Sequence, residues 1–137
     1  MADERADIQP ELWVHDGPAA VAFYERAFGA VLQHRVDGPE DLDVVAQLSV
    51  GGAGFWVSGS SEELKRFSPS AIGGATAGML LVVEDPETVL DKAVEAGATQ
   101  TSPVADEHGW RLGRLRDPFG HEWEVGRPTG VWPPPPA

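Results

Sequence analysis

Apolar and polar positions along this chain follow two alternating periods. Around residues 17–28, Val21, Tyr24, Glu25 and Phe28 fall on one face at helical spacing. Asp16 precedes that run as a capping residue, Pro18 sits in the first turn where a missing N–H costs little, and Gly29 stands where a helix stops. Short, mainly apolar runs read as strands over 8–14, 31–36, 44–50 and 54–58, punctuated by Asp37-Gly38-Pro39 and Gly51-Gly52. The order is strand, helix, three strands. The same order returns later. A strand over 79–83 leads to a cap at Asp85, Pro86 in the first helical position, an apolar stripe of Val89, Ala93 and Val94, and a stop at Gly97. Strands follow over 99–102, 110–116 and 122–125, with Asp117-Pro118-Phe119-Gly120 as a tight turn.

The two halves are copies. Val14-His15-Asp16 and the following Pro18 to Ala30 align with Val83-Glu84-Asp85 and Pro86 to Ala98. The offset is 83 − 14 = 69 before a one-residue slip at Gly17 and 86 − 18 = 68 after it; Gly52 and Gly120, and Val57 and Val125, keep the latter spacing. A period this long, present twice, does not build a solenoid. It predicts two modules packed as a pair, with a ligand site between them. The divisions are a first module over 1–59, a connection over 60–77, a second module over 78–128 and a proline-rich tail over 129–137. The connection is rich in Ser and Gly, with one helical turn expected over 62–67; connections of this length are lids or linkers. The tail, with Trp132 ahead of four prolines, reads as extended polyproline.

The formal charge of −12 over 137 residues argues against nucleic acid and against an anionic membrane surface as partners. No apolar run is long enough to cross a bilayer. Residues 1–11 are charged and lack the apolar centre of a secretory signal. With no cysteine there are no disulfides, no thiolate nucleophile and no Cys-based zinc site, and a cytoplasmic location is expected by default. Arg111, Arg114, Arg116 and Arg127 gather late in the chain. They read mainly as solvated strand residues, with an anionic group of a small ligand as the other reading. No nucleotide-binding or acyl-enzyme fingerprint is present.

Three segments carry a specific likeness: residues 12–16 with Phe23-Tyr24-Glu25-Arg26-Ala27-Phe28-Gly29-Ala30, the internal repeat, and Asp117-Pro118-Phe119-Gly120-His121-Glu122-Trp123 with its flanks. Together they resemble the vicinal oxygen chelate superfamily of glyoxalase I, bleomycin-resistance proteins and extradiol dioxygenases, and within it the PhnB-like subgroup. The resemblance covers about residues 8–128. It implies an α+β fold of two paired βαβββ modules, a curved mixed sheet around a cleft, and a homodimer. In metal-dependent members four inward residues hold a divalent ion. By motif register those positions here are Gln9, Trp56, Gly78 and Glu124, and the repeat pairs them, since 9 + 69 = 78 and 56 + 68 = 124. Gly78 has no side chain and Trp56 no lone pair to offer. No metal or other cofactor is therefore expected.

Strand alternation puts Glu122 and Glu124 on one face, with Trp123 and Val125 on the other. Glu124 is the candidate catalytic residue, as a partly desolvated carboxylate beside a carbonyl; the competing reading is a former ligand position bonded to a neighbour. Trp56, with Trp13 and Trp110, would wall a cleft suited to a planar guest. Gln9, Gly78, His108 and Arg111 complete the candidate ligand-binding set. His15 is expected at the surface. His121 is expected to be structural, bonded to backbone or to the helix of its own copy. The leading function is metal-independent binding of a small hydrophobic or aromatic molecule. The alternative is a metal-dependent lyase, isomerase or dioxygenase of the glyoxalase type, and a third is partner binding through the tail.

Overall fold

The computed structural model describes residues 4–136. The first copy comprises β1 (Glu11–Val14), α1 (Gly17–Phe28), β2 (Val31–Asp37), β3 (Val44–Val50) and β4 (Ala53–Gly59). A four-residue helix, α2 (Pro69–Ile72), lies in the connection. The second copy comprises β5 (Gly78–Val82), α3 (Pro86–Ala96), β6 (Thr99–Glu107), β7 (Trp110–Arg116) and β8 (Glu122–Pro128).

The caps form as the sequence predicts. The Asp16 carboxylate accepts from the Ala19 N–H at 3.0 Å, and Gly29 closes α1 at φ 66°. Asp85 accepts from the Thr88 hydroxyl at 2.8 Å and from its N–H at 3.2 Å; these bonds hold the Asp85 carboxyl below its usual range. Five expectations change. The first strand begins at Glu11, because residues 4–10 adopt no regular structure, although the Trp56 N–H still bonds the Pro10 carbonyl at 2.8 Å. The helical turn expected over 62–67 is instead a turn closed by an antiparallel bridge between Ser61 and Arg66, and the helix falls at Pro69, whose fixed φ suits a first turn. Glu25 is exposed on α1 while Phe23 is buried. On α3 the buried stripe is Pro86, Leu90 and Ala93, which leaves Val94 on its flank, half-exposed. β6 and β8 also run further than expected, to Glu107 and Pro128.

Two four-stranded mixed sheets result, ordered β1-β4-β3-β2 and β5-β8-β7-β6. In each, the first and last strands of the copy run parallel and the other pairs are antiparallel. The ladder keeps the sequence repeat: Glu11 pairs with Trp56, and Leu80 with Glu124, at 11 + 69 = 80 and 56 + 68 = 124. One face of each sheet is buried. Leu12, Val14, Val44, Ala46, Leu48, Phe55 and Val57 supply it in the first copy, and Leu115, Trp123 and Val125 in the second. Helices α1 and α3 pack against each other as well as against the sheets. Alternation then leaves the second face of each sheet open.

The copies meet around Tyr24. Its ring lies 5.3 Å from Phe55 and 5.7 Å from Trp123, and Trp123 lies 4.8 Å from Phe28. Its hydroxyl donates to buried Asp117 in the turn before β8. Asp117 also accepts from the Trp123 indole N–H at 3.0 Å and from the N–H groups of Phe119 and His121 at 2.9 and 3.0 Å. His121 is structural and bonded to backbone, as expected: its Nε2 donates at 2.9 Å to the carbonyl of Trp13, in the other copy. Both bonds span the module junction.

Burial first, and then the Asp117 charge, raise the Tyr24 phenol well above its ordinary value near 10. The folded chain therefore holds this proton more tightly than the unfolded chain. That contribution is complete below about pH 10 and is lost as the pH climbs through the folded-state value. Tyr24 is the only tyrosine, so tyrosinate absorbance reports it alone. The signal should emerge well above pH 10, together with unfolding. Tyr24→Phe should cost about 1–3 kcal/mol in denaturant melts by leaving Asp117 short of a donor. A phenol that titrates near 10 in the folded protein would contradict this account.

Candidate functional site

The open face of the first sheet carries Glu11 and Trp13 from β1, Val45 and Gln47 from β3, and Trp56 and Ser58 from β4, because ladder partners point the same way. Gln9 lies just before β1. Its Oε1 accepts from the Trp56 indole N–H at 2.8 Å and from Gln47 Nε2 at 3.0 Å, while its own Nε2 donates to Asp7 at 2.8 Å. Glu11 Oε1 accepts from Ser58 Oγ at 3.0 Å and from the Trp13 indole N–H at 3.3 Å. Each indole is thus tethered by its polar edge, which restricts the ring and leaves both tryptophans only half-buried. Across the Trp13 ring, the Arg66 guanidinium stands 5.9 Å from the centroid. His34 faces Gln47 in the β2–β3 ladder, at the side of this surface.

The open face of the second sheet has a different chemistry. Leu80, Glu124 and Arg114 occupy one row, and Gly78, Glu122 and Arg116 the next. Arg114 bonds Glu124 at 3.1 Å and Glu107 at 3.2 Å, and Arg116 bonds Glu122 at 2.8 Å. Arg111 points the other way, to Glu87 on α3 at 2.6 Å and Asp106 at 3.2 Å; Asp106 first, then Glu87, raise its guanidinium above the usual value. The late arginines are therefore divided between two faces, and three of the four are ion-paired.

Two cavities flank the start of β5 and share Pro10, Ala77 and Met79 in their walls. One, of about 520 Å³, lies between the copies and is lined by Ile8, Val50, Phe55, Gly78, Leu81 and Trp123 among others. The other, of about 320 Å³, lies between Glu11 and Trp13 on one side and Phe67, Pro69 and Ile72 of the connection on the other.

These positions divide the candidate residues. Gln9, Trp13 and Trp56 share one surface, and Gly78 lines the cleft between the copies. Glu124 is half-exposed on the second sheet with Arg114 against it. His108 occupies the exposed β6–β7 turn at φ 49°. Trp110 begins β7 and stacks edge-on against Trp132 of the tail at 5.3 Å, and the Thr129 N–H bonds the Gly109 carbonyl at 2.9 Å. His15 is exposed, its ring 5.5 Å from Phe119. Among the described residues, no group of three or more His, Asp or Glu side chains is placed to hold a metal ion. Glu11, Gln47, Ser58 and Arg114 are absent from the sequence-derived set. The parity of Glu11 with Trp13 was a usable signal for the first, whereas the others depend on strand register.

Comparison with known proteins places this geometry. The Glyoxalase/Bleomycin resistance protein/Dioxygenase superfamily profile matches residues 8–125. An uncharacterised protein of Mycobacterium bovis, Mb0911c, is 34% identical over 126 residues, 89% of this chain and 83% of its own. The crystal structure of TioX from Micromonospora sp. ML1 superposes with a TM-score of 0.70 at 28% identity, covering 91% of this chain and all of that one. TnmS3, an antibiotic binding protein from Streptomyces sp. CB03234, shares the fold with a TM-score of 0.68 at 20% identity, covering 94% of this chain and all of TnmS3. The chain belongs to the glyoxalase/bleomycin resistance protein/dioxygenase superfamily.

The Glu124–Arg114 pair is half-exposed, its two side chains 42% and 39% accessible, so water screens it. Glu124→Gln should shift stability by less than about 1 kcal/mol. A loss of several kcal/mol on thermal or denaturant melting would show that this carboxylate is buried in the working protein.

Proposed function

We propose that the protein is a metal-independent binder of a small hydrophobic or aromatic molecule, a cytoplasmic homodimer of the PhnB-like kind. The observation that carries this reading is the Trp13–Trp56 surface. Two indoles are fixed through their N–H groups by Glu11 and Gln9 and remain half-buried, and Trp13 lines a cavity of about 320 Å³ whose far wall is Phe67, Pro69 and Ile72. Rigid aromatic rings with satisfied polar edges lose little entropy when a flat guest stacks on them. The fold shared with TnmS3, whose described role is antibiotic binding, favours the same class of activity. The ending Asp117-Pro118-Phe119-Gly120-His121 with Trp123 favours the PhnB-like subgroup. Val45 on one open face, and Leu80 and Val82 on the other, are about half-exposed. A second copy covering them would remove that apolar surface from water.

The superfamily's metal positions do not suit a divalent ion here. The Gln9 carbonyl oxygen already accepts two N–H bonds, Trp56 and Gly78 offer no donor atom, and Glu124 is committed to Arg114. The lyase, isomerase or dioxygenase alternative lacks the ligand set that such chemistry needs. Nickel, zinc, manganese or iron(II) should not raise the melting temperature. A rise with one equivalent of any of them would favour the metal-dependent alternative.

Titration with a panel of planar aromatic compounds, followed by tryptophan fluorescence, tests the binding reading. Trp56→Ala should weaken binding about tenfold or more, as loss of a stacked aromatic contact does. An equally tight Trp56→Ala variant that keeps its fold would sink the proposed site.

A further inference from the structure

We propose that the guest of the Trp13–Trp56 surface is a flat organic cation, which takes the place of Arg66 over the Trp13 ring and sets its charge against Glu11. The proposal rests on the ligand-binding reading above and names the chemical class. Glu11 is the first observation. Its carboxylate bonds a serine hydroxyl and an indole N–H, both neutral, and among the described residues it has no basic partner within ion-pair distance. The acids of the second sheet's open face differ: Glu107, Glu122 and Glu124 each hold an arginine. Of these four open-face acids, the one without an ion-pair partner is Glu11, which stands between the tethered tryptophans.

The second observation is independent of the first. The chain itself places a cation on this surface, for the Arg66 guanidinium lies 5.9 Å from the Trp13 ring centroid. That distance is within the range in which a ring quadrupole attracts a cation, on the order of 6 Å. Arg66 is exposed and belongs to the connection, held there by the Ser61–Arg66 bridge. The same connection contributes Phe67, Pro69 and Ile72 to the 320 Å³ cavity that reaches Glu11 and Trp13. A guest with a delocalised positive ring would meet an indole face, a carboxylate and an apolar wall together. A neutral guest would strip water from the Glu11 carboxylate without returning a charge to it, which is unfavourable. An anionic guest would meet that carboxylate and the overall charge of −12.

Calorimetric titration of the full chain with ethidium (cationic), acridone (neutral) and anilinonaphthalene sulfonate (anionic) separates these cases. Ethidium should bind most tightly. Glu11→Gln keeps an oxygen to accept from Trp13 and Ser58, so it should fold normally yet weaken ethidium about tenfold. Arg66→Ala should tighten ethidium by removing the resident cation. Glu95→Gln, an exposed acid on α3, should leave binding unchanged and so controls for the general field of the protein. Equal affinity for ethidium and acridone, or equal losses in Glu11→Gln and Glu95→Gln, would overturn the cation proposal; the binding reading then survives if Trp56→Ala still weakens binding about tenfold or more. Failure of all three probes would overturn both.

Discussion

Asp117 stands where the two halves of this chain meet, and its satisfaction is the condition on which the arrangement rests. A buried carboxylate is tolerated only when donors surround it. Here four converge: the Tyr24 hydroxyl from the first copy, the Trp123 indole, and two backbone N–H groups of its own turn. Only the Tyr24 bond crosses the junction, and with it come the aromatic contacts of Phe28, Phe55 and Trp123. The turn that positions β8 and the helix that fills the first sheet are thereby locked together. His121 adds a second tie, to the Trp13 carbonyl, on the strand whose side chains form the candidate site.

The two copies illustrate how a duplicated scaffold diverges by surface rather than by core. The row of Glu11, Trp56 and Gln47 in the first sheet answers to Leu80, Glu124 and Arg114 in the second. Beneath these rows the buried strand positions are mostly apolar, and the polar groups that reach the packed side, such as the Trp123 indole and Arg111, are bonded to Asp117 and to Glu87 of α3. Above them one surface has become an aromatic and amide network and the other a set of ion pairs. One frame can host many activities, so the activity follows from the side chains it carries and not from the frame.

Much of this was legible in the chain. The caps at Asp16 and Asp85, the stops at Gly29 and Gly97, and the alternation through β3, β7 and β8 are local signals, decided by backbone sterics and period. The 68-residue and 69-residue offsets carried directly into the ladders. The connection was less legible, because without strong periodicity a short helix is placed by whatever it docks on; Pro69 is buried there, whereas residues 62–67 are exposed. The stripe on α3 likewise shifted towards Leu90, since packing against the partner helix and sheet, not hydrophobicity alone, chooses among neighbouring apolar side chains.

The candidate site shows the same division. The sequence by itself determined that Glu11 and Trp13 share a face and that Glu124 opposes Trp123, because strand alternation is a one-dimensional property. Only the tertiary structure decided that Gln9 bonds the Trp56 indole, that Arg114 pairs with Glu124, that Arg111 turns to α3, and that Glu11 is left beside two indoles with Arg66 across one of them. Those outcomes depend on which strands are neighbours and in what register. Long-range pairing sets both, and no local pattern in the chain encodes it.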